Sequence, residues 1–238
     1  MKNSPPGKFI VLEGLDGSGK STQLTLLLNR LSQAGYSVAS FDFPQHGERS
    51  ATLVDDYLIG KYGQPKEVSP YIASVFYACD RYDASFKIRG LLKTGQTVLS
   101  DRYVASNAAH QGGKISSRPK RRAFFRWLDH LEYGLFQIPR PDLTFILKTS
   151  PEFSLKMADS SGIFDQKKLA HRKAYLGEKD QDIHEKNLAH QRATFETYSE
   201  LAREFPRRFA VIDCVENDQF LAPTAIHERI WNRVQKIL

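Results

Sequence analysis

Eight consecutive residues, Gly14-Leu15-Asp16-Gly17-Ser18-Gly19-Lys20-Ser21, sit between a short apolar run and an amphipathic one. The spacing G-x-x-x-x-G-K-S in that setting is the P-loop pattern. Its glycines let backbone amides turn inward around a polyphosphate, and the helix that follows adds the positive end of its dipole. Lys20 then reaches the β and γ phosphates, and the Ser21 hydroxyl is placed on Mg²⁺. Gly14, Gly17, Ser18, Gly19, Lys20, Ser21 and Thr22 are therefore the candidate triphosphate-binding residues. A P-loop alone leaves GTPases, helicases, ATPases and small-molecule kinases open. The base-reading N-K-x-D signature of GTPases is absent.

Two more groups could do phosphate chemistry. Phe41-Asp42-Phe43-Pro44 is followed by Gly47, Glu48 and Arg49, a rigid bend that delivers a cation to the end of an apolar run. Further on, Ser100-Asp101-Arg102-Tyr103-Val104-Ala105-Ser106-Asn107-Ala108-Ala109-His110-Gln111 gathers an acid, a cation, two amides and two rings. Asp101 suits Mg²⁺ or a water on it, and Arg102 offers a planar fork of donors to a phosphate. An Asp-Arg pair alone is as readily a local salt bridge. On the same sheet edge as a P-loop it reads as functional.

These residues need a scaffold that brings them to one edge. Phe9–Leu12, Ser37–Phe41, Thr97–Leu99, Leu143–Leu147 and Ala210–Ile212 read as five strands separated by helical patterns. Ser69 before Pro70 and Ser150 before Pro151 mark two helix starts. Ile72, Val75, Phe76 and Cys79 recur at helical spacing and read as a core-facing stripe. Tyr77 and Arg81, four apart, share a face directed away from it. Alternating βα units imply an α/β fold with a parallel sheet and ligands at the carboxyl ends of its strands.

Length and composition agree. The 238 residues, 41% hydrophobic, suit one domain spanning 1–238. Cys79 and Cys214 offer neither a disulfide framework nor zinc spacing, and read as reduced thiols of a cytoplasmic protein. The first residues contain no secretory core, and no window is long enough to span a membrane. The net charge of +7 invites a phosphate-rich partner. Two basic runs stand out: Lys114 to Arg126, with six basic and no acidic residues, and Lys167 to Lys173. The first reads as a solvated helix start that leaves room for a second partner; the second lies in 160–180, a stretch with few core residues, and reads as a mobile lid.

In combination and order, FIVLEGLDGSGKS, FDFP, FYACDR, DRYVASNAAHQGG and PRPDLTFIL resemble the thymidylate kinase family over almost the whole chain. The resemblance implies a five-stranded parallel sheet, a lid, ATP and Mg²⁺, phosphorylation of dTMP to dTDP, and a homodimer. It implies small nucleotides as partners rather than nucleic acid or membrane. Carried over by position, Asp16 is the P-loop acid near the acceptor, and Phe43, Pro44 and Arg49 lie in the acceptor loop. Tyr77 stacks on the base, or Phe76 after a one-residue slip. Arg81 hydrogen-bonds the base, with Asn107 and Gln111 near it. Arg102 takes the acceptor phosphate, and Asp101, with Ser21 and Asp16, borders the metal.

Ser18 stands where one class of the family carries an arginine, so the catalytic cation is expected from the lid: Arg172 first, Lys168 second. Glu185 borders the acceptor or completes a capping box begun by Asp182. His110 replaces an aromatic residue associated with excluding ribose. That leaves a kinase for dUMP or a modified pyrimidine as an alternative. The charge keeps a nucleic-acid-stimulated P-loop ATPase as the rival of another class.

Overall fold

The computed structural model describes residues 6–64, 67–160 and 188–238, the side chains of 156–160 excepted. Five strands form one parallel sheet in the order β2-β3-β1-β4-β5. They are β1 (Phe9–Gly14), β2 (Val38–Asp42), β3 (Thr97–Asp101), β4 (Leu143–Lys148) and β5 (Phe209–Asp213). Each expected strand is present; four are extended by one or two residues, usually toward the edge that carries the polar loops, and β2 is shifted one residue toward that edge. The two-residue strands β6 (Val215–Glu216) and β7 (Gln219–Phe220) form a separate hairpin that the sequence did not suggest.

The central strand is buried on both faces, as a covered parallel sheet requires. Successive side chains alternate. Phe9 and Val11 join one core with Phe41, Val98, Ile146 and helices α3 (Pro70–Lys93), α4 (Val104–Gly112), α5 (Arg118–Asp129) and α7 (Leu188–Glu204). Ile10 and Leu12 join the opposite core with α1 (Lys20–Gln33) and α8 (Pro223–Val234), through Leu27, Leu31, Ile226 and Ile230. A smaller cluster ties α2 (Thr52–Leu58) to α3 through Val54, Tyr57 and Ala73.

The Ser-Pro starts hold: Ser69 Oγ accepts from Tyr71 N at 3.3 Å at the head of α3. Ser150 Oγ accepts from Phe153 N at 3.3 Å as α6 (Pro151–Ser160) begins. One expectation is reversed. The buried face of α3 is Ala73, Ser74, Ala78, Arg81, Ala84, Ser85 and Ile88, whereas Ile72 and Val75 are exposed. The apolar stripe looks outward, and Arg81 looks in.

Register brings the two main loops together. Leu12 of β1 is level with Asp101 of β3, so the P-loop and the Asp101-Arg102 turn leave adjacent strands at the same edge. Phe43 continues from β2 at that edge, its N–H donating to Asp101 O at 3.0 Å.

Candidate active site

The P-loop backbone demands its glycines. At Gly14, φ is 143°, and a β-carbon there would lie 2.7 Å from Leu147 O. Gly19, at φ 89°, turns the chain into α1. Lys20, 6% exposed, folds back so that Nζ donates to Leu15 O at 2.8 Å and Gly14 O at 3.2 Å. Ser21 Oγ donates to Asp101 Oδ2 at 3.2 Å. Two of the three residues assigned to Mg²⁺, Ser21 and Asp101, thus face each other, whereas the third, Asp16, pairs with Arg102. A hydroxyl and a carboxylate are the hard oxygen donors that Mg²⁺ takes, so the pair fits the ion. Among the described residues no group of three or more His, Cys, Asp or Glu could hold a metal.

Arg102 is the centre of the site. Its φ is 65°, a left-handed conformation uncommon for a residue with a β-carbon. Three bonds hold the turn: Arg102 N to Leu12 O at 2.8 Å, Ser100 Oγ to Arg102 O at 2.7 Å, and Tyr103 N to Glu13 Oε1 at 2.9 Å. The guanidinium pairs with Asp16 through Nη2, while Nη1 donates to Ser106 Oγ at 3.1 Å and lies 3.3 Å from His110 Nε2. The surrounding protein disfavours a charge on Asp16, but Arg102 and then Lys20 hold its carboxyl well below the usual carboxylate range.

Fully buried Glu13 also accepts from Ser106 N at 3.1 Å, from Ser106 Oγ, and from Tyr198 Oη at 2.9 Å. Burial pushes its carboxyl up, against the opposing pull of the Ser106 hydrogen bonds, the Arg102 charge and the Tyr198 hydroxyl.

A second cluster lies farther along α4. Arg81, 2% exposed, forms a bidentate pair with Glu132, Nε to Oε2 and Nη2 to Oε1, both 2.6 Å. Glu132 reaches it because α5 continues into a π-helical turn, His130–Leu135. Such turns often sit at functional sites. Asn107 Nδ2 donates to Ser74 O at 3.2 Å and lies 3.4 Å from Glu132 Oε1. Its Oδ1 and both amide atoms of Gln111 are buried with no hydrogen-bond partner among the described residues. An orphaned buried amide costs about 1–3 kcal/mol, so these atoms await a partner. Tyr77, half-buried, meets Tyr57 edge to face with centroids 6.3 Å apart.

The structure treats the remaining candidates differently. Phe43 is 2% exposed and packs on Phe41 and Tyr103, so its ring belongs to the core beneath the site, with half-buried Pro44 after it. Arg49 is exposed at the start of a short 3-10 turn, Arg49–Ala51, where its carbonyl accepts from Thr52 Oγ1 at 3.0 Å and its guanidinium has no hydrogen bond or ion pair among the described residues. Gln45, not Arg49, is held at the bend: its N donates to Asp80 Oδ2 at 2.9 Å and its Nε2 to Asp80 Oδ1 at 3.0 Å. His110 Nδ1 lies 3.4 Å from His190 Nε2. Lys168, Arg172, Asp182, Glu185 and nearly all of the expected lid at 160–180 lie outside the described residues.

Sequence reasoning missed Glu13, Glu132, His190 and Tyr198. The first had a signal: a lone carboxylate inside the apolar run FIVLEG.

The family model for thymidylate kinase matches residues 12–220. A thymidylate kinase of Exiguobacterium is 31% identical over 209 residues, covering 87% of this chain and 86% of its own length. One from Synechococcus strain JA-3-3Ab is 31% identical over 229 residues and 95% of each chain. One from Mycobacterium tuberculosis H37Rv is 33% identical over 147 residues, 61% of this chain and 68% of its own. Among solved structures, thymidylate kinase from Candida albicans superposes with a TM-score of 0.71 at 22% identity, over 97% of this chain and 92% of that one. That likeness speaks for the fold.

Proposed function

The chain belongs to the thymidylate kinase family, and from that premise we propose how its own residues carry out the ATP-dependent phosphorylation of dTMP to dTDP. The observation that supports the assignment is the set of unpartnered buried amide atoms on α4, Asn107 Oδ1 and both of Gln111, with Asn107 reaching Glu132, the partner of Arg81. The turn before α4 supplies the phosphate-gripping fork of Arg102, and α4 itself supplies Asn107 and Gln111 for the carbonyl and N–H edge of a pyrimidine, so one strand-to-helix segment offers groups for both parts of a nucleoside monophosphate.

The acceptor phosphate is already an anion, so transfer needs alignment and cations more than a general base. Lys20 faces the β and γ phosphates of ATP held by Gly14, Gly17, Ser18, Gly19, Ser21 and Thr22. Arg102 takes the 5′-phosphate of dTMP, which replaces Asp16 as partner of the guanidinium. Arg81, held by Glu132, meets the base, with Tyr77 stacking on it. Ser21 and Asp101 would hold Mg²⁺, which would supply positive charge at the transferred group. From the sequence, Arg172 and Lys168 add cations at the donor phosphates, and Glu185 borders the acceptor. The enzyme acts in the cytoplasm as a homodimer. Among the described residues no helix is long and apolar enough to cross a membrane.

A panel of dTMP, dUMP, UMP and dCMP with ATP and Mg²⁺ tests this reading. ADP formation is expected to depend on the monophosphate and to favour dTMP. Equal turnover of all four would overturn the base assignment.

A further inference from the structure

We propose that helix α7 positions Arg102 through two polar rungs on α4, Tyr198 against Ser106 and His190 against His110. The inference rests on reading Arg102 as the arginine of the acceptor phosphate. Ser106 and His110 are four residues apart on α4, and His190 and Tyr198 are eight apart on α7, so each pair shares a helix face. The contacts run in opposite order along the chain: Ser106 Oγ meets Tyr198 Oη at 3.0 Å, and His110 Nδ1 meets His190 Nε2 at 3.4 Å. The two helices are thus antiparallel, and both rungs converge on one atom, Arg102 Nη1.

Proton bookkeeping shows why these residue types serve Arg102 beyond joining two helices. A guanidinium only donates. His110 Nε2 must therefore offer a lone pair to Arg102, which puts the His110 proton on Nδ1, directed at His190 Nε2. His190 accepts there and carries its own proton on Nδ1. Burial, and then Lys114, push the His190 imidazole down to about 4, which keeps the acceptor neutral at physiological pH. In the other rung, Ser106 Oγ donates to Glu13 Oε2, so the same oxygen is left to accept from Arg102. Tyr198 Oη donates to the same carboxylate oxygen at 2.9 Å, so this rung runs through Glu13: with both hydroxyl protons on Glu13, the 3.0 Å Ser106–Tyr198 contact carries none of its own, and Tyr198 holds in place the carboxylate that orients Ser106. Each rung fixes the polarity of one acceptor for Nη1. The other nitrogen, Nη2, is the one that pairs with Asp16 and exchanges it for the acceptor phosphate. An apolar pair such as Leu against Leu would join the helices equally well and fix neither acceptor.

Steady-state kinetics of the full-length enzyme test this with His190→Leu, His190→Gln, Tyr198→Phe, Arg102→Lys and the double variant His190→Leu/Arg102→Lys. His190→Leu and Tyr198→Phe are each expected to lower kcat/KM for dTMP about tenfold, with KM for ATP unchanged. His190→Gln, whose amide oxygen can accept from His110, is expected to recover most of the loss. On the Arg102→Lys background, His190→Leu should add less than about twofold, because its route of action is already broken.

Wild-type dTMP kinetics in both His190→Leu and Tyr198→Phe would overturn the proposal. So would an undiminished effect of His190→Leu on the Arg102→Lys background. If Arg102→Lys alone leaves dTMP kinetics intact, the acceptor reading falls and the rungs with it; if only the α7 variants are silent, the rungs fall alone. Should His190→Leu not fold, Tyr198→Phe, which removes a single oxygen, carries the test.

Discussion

Glu132 illustrates how a residue acts through another. It is fully buried, and so is the Arg81 guanidinium that it grips. Neither charge is stable there alone: removing one partner of a buried pair typically costs about 3–5 kcal/mol. Glu132→Ala is therefore expected to lower the melting temperature by about 10 °C, at roughly 2–4 °C per kcal/mol for a chain of this size. It should also raise KM for dTMP, since Arg81 loses the fork that aims it. Thermal unfolding followed by circular dichroism, with dTMP kinetics, checks both; a melting temperature unmoved by the substitution would show that Arg81 finds another counter-charge.

The same pair marks what could be read at residue level. Lys20, Ser21, Asp101 and Arg102 were legible because a motif and a strand end fixed their places locally. Arg81, Asn107 and Gln111 became legible by position once a family resemblance was in hand. Glu132 lies 51 residues from Arg81 and reaches it only through a π-helical turn that leaves no periodic trace in sequence. Gln45 shows the converse: residue type gave no reason to single it out, yet it is the residue the bend seats on Asp80, four positions before the exposed Arg49.

At the level of elements, the parallel sheet was legible because its strands are short β-branched or aromatic runs separated by helical patterns, and two helices announced their starts with Ser-Pro. The β6–β7 hairpin was not, since two-residue strands are too short to alternate. The instructive error is α3. Periodicity identifies an apolar helix face and says nothing of what covers it. Ile72, Val75, Cys79, Tyr82 and Phe86 recur at alternating intervals of three and four, the spacing of a helix–helix seam. Yet Ile72 is 55%, Tyr82 42% and Phe86 59% exposed. The opposite face of α3 already carries the core and Arg81, so this seam is free to meet a second copy of the chain. Phe86→Glu, which places a charge on this seam, tests the homodimer proposed above: it is expected to shift the protein from dimer to monomer in sedimentation velocity while leaving its melting profile cooperative. A wild-type chain that sediments as a monomer at micromolar concentration would remove this role for the seam.

For the whole molecule, the question is where a net charge of +7 goes. The run from Lys114 to Arg126 was the part best suited to a nucleic acid. In the fold it is largely occupied. Arg118 and Arg121 pair with Glu200, Arg122 pairs with Glu204, and Lys114 turns inward, its Nζ bonded to the Tyr57 hydroxyl. Burial pushes the Lys114 ammonium down to about 8. Arg140 and Arg208 both close on Asp129. The more exposed pairs, Arg122–Glu204, Arg140–Asp129 and Arg208–Asp129, contribute only about 0–1 kcal/mol each, so their consequence is less for stability than for the field outside the protein. A duplex binder needs unpaired cations along one face, and its affinity falls steeply with salt as phosphate contacts release counterions. Here three of the five cations of α5 are engaged by two acids of α7, Glu200 and Glu204, while Lys20 and Arg102 are recessed at the sheet edge, within reach of a small anion. ATP hydrolysis without dTMP is therefore expected to remain at its basal rate when duplex or single-stranded DNA is added. At 150 mM salt, fluorescence anisotropy should detect no binding of a labelled duplex below about 10 μM, within the non-specific range of basic proteins. DNA-stimulated hydrolysis in the absence of dTMP would instead mean that the α5–α7 pairs open to release a cationic face.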